Sequence, residues 1–206
     1  MCNETTKASK RRKSDTLFVN NVFKGLGIDI GCGNDILKKE DGFPLIKAVQ
    51  SFDLIDGNAQ YINNFKPDES YDFVHSSQCL EHMVDPYVAI VNWFKLVKPG
   101  GYLVVTVPDE DLYEQGVFPS AWNSDHKWTF SIWKEFSWSN NHINMFDLIP
   151  CLGKNADIIK LSLIDTNYDY DLINSRPRVD QTFADKDVEA FIELVVRKRC
   201  NDWIYN

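Results

Sequence analysis

The 206-residue chain has no apolar run long enough to cross a membrane. Its first fourteen residues are polar and basic and lack the apolar centre of a signal peptide, so membrane insertion is not expected and a cytosolic location is. CxxC pairs and Cys/His clusters at zinc spacing are also missing. The five cysteines, Cys2, Cys32, Cys79, Cys151 and Cys200, are scattered and read as free thiols in a reducing compartment, with no metal site implied. Positive charge is in deficit: 22 Lys and Arg against 30 Asp and Glu give a net charge of −8, which argues against a nucleic-acid-binding body. The local exception is Lys7, Lys10, Arg11, Arg12 and Lys13. No aromatic residues interleave with these charges, so residues 1–14 read as a flexible basic tail. Internal repeats and low-complexity linkers are absent too, which leaves residues 15–206 as one expected domain.

What is there is a soluble, globular composition, 44% hydrophobic and 25% charged. Asp15 to Phe23 reads as a short helical turn. Leu26 to Ile30, Ala48 to Leu54 and Tyr71 to Ser76 read as strands, and Gly31 to Gly33 as a tight turn. The best-marked helix opens with Asp85 as N-cap and Pro86 in the first turn. It carries Val88, Ile90, Val91, Phe94 and Leu96 on an apolar face and stops at Pro99-Gly100-Gly101. Tyr102 to Val107 is then a buried strand. Strand, helix and strand in this order imply parallel strands with right-handed crossovers. From about 108 to 142 the periodicity is lost in a stretch rich in Trp, Phe, His and Asp, too long for a simple connection and read as a substrate-side insertion. Asn144 to Leu152 reads as a short helix and Ile158 to Ile164 as a strand. Ile192 to Val196 fits a last strand or the end of a helix beginning near Asp185, and the strand is preferred.

The sharpest local signal is Gly27-Ile28-Asp29-Ile30-Gly31-Cys32-Gly33-Asn34, a strand running into a glycine turn. Glycines there let backbone approach a ligand, and open α/β sheets bind ligands at that edge. A nicotinamide dehydrogenase also carries a glycine turn after its first strand, but its GxGxxG fingerprint needs a third glycine, absent at position 36. Asp29, just before the turn, repels a pyrophosphate but suits the ammonium and sulfonium of S-adenosylmethionine.

The run GIDIGCGN resembles motif I of the class I S-adenosylmethionine-dependent methyltransferases. DGNAQYI…PDESYDFVHSSQCLEHMVDP resembles that family's third and fourth strand region, and WFKLVKPGGYLVVTVPD its following helix and fifth strand. These blocks stand in the family's order over Gly25 to Asp109. The segments DLYEQGVFPSAWNSDHKWTF and RVDQTFADKDVEAFIELVVRK resemble a narrower bacterial subgroup associated with surface-saccharide biosynthesis. The resemblance implies a Rossmann-like α/β fold: a mostly parallel seven-stranded sheet, helices on both faces and an antiparallel last strand. It implies S-adenosyl-L-methionine as cofactor and methyl transfer to a hydroxyl of a small molecule or saccharide intermediate. A nicotinamide-dependent oxidoreductase and a non-catalytic cofactor-binding scaffold are the alternatives.

The resemblance also assigns positions. Gly31, Cys32 and Gly33 form the floor under the methionine and ribose, and Asp29 holds the amino group through water. Asp53, 20 residues after Gly33, accepts the ribose hydroxyls, with Asp56 as its runner-up. Asn58-Ala59 stands where the family usually has Asp-Ala reading the adenine amino group, and an Asn oxygen still accepts that hydrogen bond. Ser76 and Ser77 line the cofactor channel. The protein's main task in methyl transfer is to align the acceptor, but a hydroxyl acceptor must lose a proton. The candidate base is His126 in the insertion, oriented by the adjacent Asp125. His82, after Glu81, is a second candidate. For His75 and His142 a structural role is expected, and the four tryptophans of the insertion read mainly as its own small core.

Overall fold

In the computed structural model, residues 3–175, 177–183 and 187–200 are described. The elements in chain order are α1 (Glu4–Arg12), β1 (Gly25–Ile30), β2 (Ile46–Phe52), β3 (Tyr71–Ser77), α2 (Pro86–Leu96), β4 (Val97–Pro108), β5 (Thr129–Ser131), β6 (His142–Asn144), α3 (Met145–Leu148), β7 (Ala156–Ile164) and β8 (Phe191–Lys198). Six strands form the main sheet in the order β2-β1-β3-β4-β8-β7, and β5 and β6 form a small parallel pair. β1 pairs parallel with β2 and β3, and β3 with β4, while β8 runs antiparallel to β4 and β7. This is the expected Rossmann-like α/β sheet, with the last strand inserted antiparallel. Strand, not helix, is the state of residues 191–198; Asp185 lies outside the described residues.

The main sheet has six strands among the described residues, not seven. Between β2 and β3 the chain adds no strand to the sheet and forms a short helical stretch (Ala59–Asn64). Its backbone is spent on α2: Trp93 Nε1 donates to Ala59 O at 2.9 Å and Asn92 Nδ2 to Gln60 O at 2.8 Å.

Strand alternation sorts the core into two layers. Ile28, Ile30, Val74, Leu103, Val105 and Val107 face α2, which buries Ile90, Trp93, Phe94 and Leu96 against them. Phe73, Val104 and Val195 face the opposite side, where Phe18, Val22, Phe23 and Phe43 pack. Asp85 caps α2 by accepting from Tyr87 N and Val88 N at 3.0 and 3.1 Å, as its sequence position foretells.

The basic segment is not a frayed tail. Residues 4–12 are helical, and Arg12 is fully buried. Its Nε donates to Glu193 Oε2 at 2.7 Å, and Arg11 reaches both Glu189 and Glu193. Lys7 bonds to Glu4 and to Thr182 O. The acids that make this helix dock stand about 180 residues away, on and before β8. Cys32 and Cys79 are buried and Cys151 and Cys200 exposed, all four free; Cys2 lies outside the described residues. Among the described residues no helix is long and apolar enough to cross a membrane.

Candidate functional site

At the carboxyl end of β1 the chain turns through Gly31 (φ 71°) and Gly33 (φ 53°), both in the left-handed region. A Cβ on Gly31 would lie 2.4 Å from Cys79 Sγ, whereas nothing stands within 4 Å of one on Gly33. Gly31 is therefore fixed by packing, and Gly33 borders open space. The Gly33 N–H donates to Asp53 Oδ2 at 2.7 Å, and Leu54 N–H donates to Asp53 Oδ1 at 2.8 Å. Asp56 accepts from Asp53 N at 2.9 Å and so supports Asp53 from behind.

A cavity of about 470 Å³ opens over this turn. Gly31, Cys32, Gly33 and Ser77 form one side. Asn3, Glu4 and Thr5 form a second wall, and Tyr113, Trp122, His82 and His126 a third. The wall from α1 is tied down at Asp35, which accepts from Thr6 N at 3.0 Å and from Thr6 Oγ1 at 2.5 Å. Burial, with the charges of Asp29 and Asp53 adding to it, pushes the Cys32 thiol up to about 12, so it stays protonated.

Asp29 is placed differently from the expectation. It is fully buried: Oδ2 accepts from Leu37 N at 2.8 Å, and Oδ1 lies 2.7 Å from His75 Nδ1. The His75 Nε2 is 3.0 Å from Arg12 Nη1. A guanidinium only donates, so Nε2 accepts and Nδ1 carries the hydrogen given to Asp29. Alternation along β1 turns Asp29 towards the α1 face, where it braces the turn from below and does not line the cavity. Ser76 is likewise buried and donates to Ile30 O at 3.1 Å. Asn58 Oδ1 accepts from Gln60 N at 2.9 Å and caps its own helical stretch; Asn58, Ala59 and Asp53 do not line the cavity.

The insertion delivers the expected histidine with a different partner. His126 is buried, and its Nδ1 lies 2.7 Å from Glu114 Oε1. Asp125 points elsewhere: its Oδ2 is 2.8 Å from His82 Nδ1. Asp125 sits inside the turn closed by His126 N–H on Asn123 O at 3.1 Å, and this turn separates the two side chains and brings Asp125 to the histidine that follows β3. The two rings meet edge to face at 5.0 Å, and Glu81, fully buried, has Oε1 3.9 Å from both His126 Nε2 and His82 Nε2. Burial raises the Glu81 carboxyl above its ordinary range. Burial alone would lower His126, but the hydrogen bond to Glu114 and the charges of Glu81 and Glu114 outweigh it and raise it. Glu114 and the Asn3–Thr5 wall carry no sequence signal of a site.

A family model described as a methyltransferase domain matches residues 6–148. The chain belongs to that family. Within this methyltransferase the glycine turn and the strands around it all fall inside the matched segment. A curated relative, an uncharacterized methyltransferase of Schizosaccharomyces pombe, is 27% identical over 133 residues, 65% of this chain and 42% of the relative, so the match spans about two fifths of that protein's length. An S-adenosylmethionine-dependent methyltransferase from Mesorhizobium loti superposes with a TM-score of 0.56 at 14% identity, covering 94% of this chain and 98% of that one. One from Archaeoglobus fulgidus gives 0.53 at 18%, covering 95% and 94%. At 14% and 18% identity these likenesses show a shared α/β fold.

Proposed function

We propose that this methyltransferase moves the methyl group to a hydroxyl of a small molecule or saccharide intermediate held in the cavity over the glycine turn. The observation that carries this reading is the Glu81, His82 and His126 cluster, which faces the same cavity as Gly31 and Gly33. A sulfonium methyl needs little activation, and an amine or thiolate acceptor attacks unaided, but a hydroxyl must shed a proton. In the transfer the acceptor oxygen forms a bond to the methyl carbon and the carbon–sulfur bond breaks. The electron pair stays on sulfur, which leaves as a neutral thioether, and the hydroxyl proton passes to the cluster. The Nε2 atoms of His126 and His82 are its nearest neutral acceptors. Trp122 is fixed by donating from Nε1 to Tyr113 O at 2.9 Å, and it offers a flat face of the kind that stacks on sugar rings.

On the cofactor side, Gly31, Cys32, Gly33 and Ser77 take the methionine and ribose portion, and Asp53 keeps lone pairs for the ribose diol at the far side of Gly33. Calorimetry with S-adenosylmethionine, S-adenosylhomocysteine and NAD in parallel tests the donor: binding of the first two and not of NAD is expected, and tight NAD binding with no response to S-adenosylhomocysteine overturns the reading. Transfer of labelled methyl to a panel of sugar nucleotides and polyols, against protein and RNA acceptors, tests the acceptor class. Label entering only the macromolecules would rule out the small-molecule assignment.

A further inference from the structure

We propose that Glu81, His82 and His126 form a binding site for a divalent first-row transition cation on the acceptor side of the cavity. The three side chains come from two places, the turn after β3 and the insertion, and their ligand atoms all lie within 4.8 Å of one another. Ligands held at about 2.0–2.1 Å around a tetrahedral cation stand roughly 3.3 Å apart. Small side-chain rotations therefore close the two 3.9 Å gaps to Glu81 Oε1.

Proton placement points the same way. Both imidazoles have their Nδ1 atoms on carboxylates, His82 on Asp125 at 2.8 Å and His126 on Glu114 at 2.7 Å. Carboxylates accept only, so each Nδ1 carries a hydrogen, and Nε2 is left on the Glu81 side as the ring atom that a cation would take in place of a proton. Carboxylate–histidine pairs with the far nitrogen free are the usual outer shell of a metal ligand. Glu81 itself is fully buried, and neither of its oxygens has a hydrogen-bond donor. A buried carboxylate without a donor is costly unless something positive comes to it. Three carboxylates, Glu81, Glu114 and Asp125, converge here. The one lysine paired with them is Lys127, 3.3 Å from Asp125 at the exposed end. Two imidazoles and one carboxylate suit zinc, manganese or iron rather than magnesium or calcium, which prefer all-oxygen shells.

The remaining coordination positions face the cavity. The role of the site rests on the methyl-transfer reading above; its occupancy does not. With the cation bound, His126 serves as a ligand rather than as the base. The acceptor hydroxyl binds the metal, becomes more acidic and gives its proton to water, and the resulting oxygen takes the methyl group.

The test uses the full chain, stripped with a chelator and dialysed, then titrated calorimetrically with Mn²⁺ and Zn²⁺ and with Mg²⁺ as comparison. Visible spectra of the Co²⁺ form report its coordination. One equivalent of Mn²⁺ or Zn²⁺ is expected, with at least a hundredfold loss of affinity in Glu81→Gln, His126→Ala and His82→Gln, and little change in His142→Ala. His82 is the safest of these substitutions because its side chain is 23% exposed. Thermal unfolding and S-adenosylhomocysteine binding of each variant confirm that it folds. Absence of stoichiometric uptake, uptake undiminished in the three variants, or equal binding of Mg²⁺ overturns the site. If S-adenosylhomocysteine binds and no metal does, the cation proposal fails alone; if metal binds and S-adenosylhomocysteine does not, the functional reading fails and the site stands.

Discussion

Two clusters of buried charged side chains flank the sheet, built from the same residue types with opposite outcomes. On the α1 side, Arg11, Arg12 and Lys160 pair with Glu189, Glu193 and Asp15, and Asp29 is held by Leu37 N and by His75, which links it to Arg12. Arg12 Nη2 has no acceptor, but its guanidinium lies 5.2 and 5.8 Å from the rings of Phe18 and Phe23. Burial alone would raise Glu193, but the neighbouring arginines and lysine outweigh it and hold its carboxyl well below the ordinary range. On the cavity side, Glu81 is as deeply buried, lacks donors and is shifted the other way. A balanced network fixes a fold. An unbalanced one, opening on a cavity, leaves an unmet demand for positive charge in the wall that faces the glycine turn.

The sharpest way to break this contrast is to remove a partner from the balanced side. Arg12→Leu leaves Glu193 without its closest partner in the interior and detaches α1 from His75. The expected loss is about 3–5 kcal/mol of stability, read from urea unfolding. A loss under about 1 kcal/mol would mean that the network contributes nothing beyond packing. Next in size is Gly33→Val. The new side chain projects into the cavity, and a β-branched residue at φ 53° is strained. S-adenosylhomocysteine affinity should fall by a hundredfold or more while the chain still unfolds cooperatively; unchanged affinity would make the turn merely structural. Smaller still is Glu81→Gln in metal-free protein, which removes a buried charge that has no donor. Stability should stay level or rise by about 1 kcal/mol, opposite in sign to Arg12→Leu.

The uneven legibility of this chain has the same physical root. The block from Gly27 to Asp109 is readable because its signals are local: alternation along β1 and β3, the Asp85 cap, and glycines forced by backbone angle or by close approach. The docking of α1 is not readable, because its partners Glu189 and Glu193 are about 180 residues distant and nothing in KASKRRK announces them. Position relative to the glycine turn put Asp29 in the right element, but its partners Leu37 N and His75, and through His75 Arg12, are not legible locally. His126 was recognisable as a loop histidine beside an acid; that the acid serving it is Glu114 depends on which way a loop residue points. The docking of the Ala59–Asn64 stretch on Asn92 and Trp93 of α2 is a tertiary effect that local propensity does not contain.

A third cluster, inside the insertion, gives the finest test, because an acid and an imidazole there are shifted in opposite directions. Glu110 is buried and accepts from Lys134 Nζ at 2.6 Å, Ser137 Oγ at 2.8 Å and Thr129 Oγ1 at 3.0 Å, and its Oε2 lies 2.8 Å from His142 Nδ1. The other ring nitrogen of His142 lies 3.2 Å from both Asn144 Oδ1 and Ser131 Oγ, and Nδ1 faces Glu110 at ion-pair distance without hydrogen-bond alignment. Burial alone would raise Glu110, but the bonds from His142, Lys134 and Ser137 outweigh it and bring it down to about 2. Burial alone would lower His142, but the bonds to Glu110 and Asn144 outweigh it and raise it above its ordinary 6.5. A lowered carboxyl contributes stability above its unfolded value of 4.5 and loses it as pH falls towards 2. A raised imidazole contributes fully below 6.5 and loses it as pH climbs through the raised value. The contribution of the pair is therefore complete between pH 4.5 and 6.5 and declines on the alkaline side. Allowing for solvent screening of a partly buried pair, the alkaline loss should be about 1 kcal/mol. His126 is raised as well and adds its own alkaline decline, so the quantity to measure is a difference. Thermal unfolding from about pH 5.5 to 8.5 should show a steeper fall for the native protein than for His142→Gln, which keeps a donor without the charge. Parallel curves would place the imidazolium charge outside the balance of the insertion and leave its hydrogen bonds alone as the stabilising element.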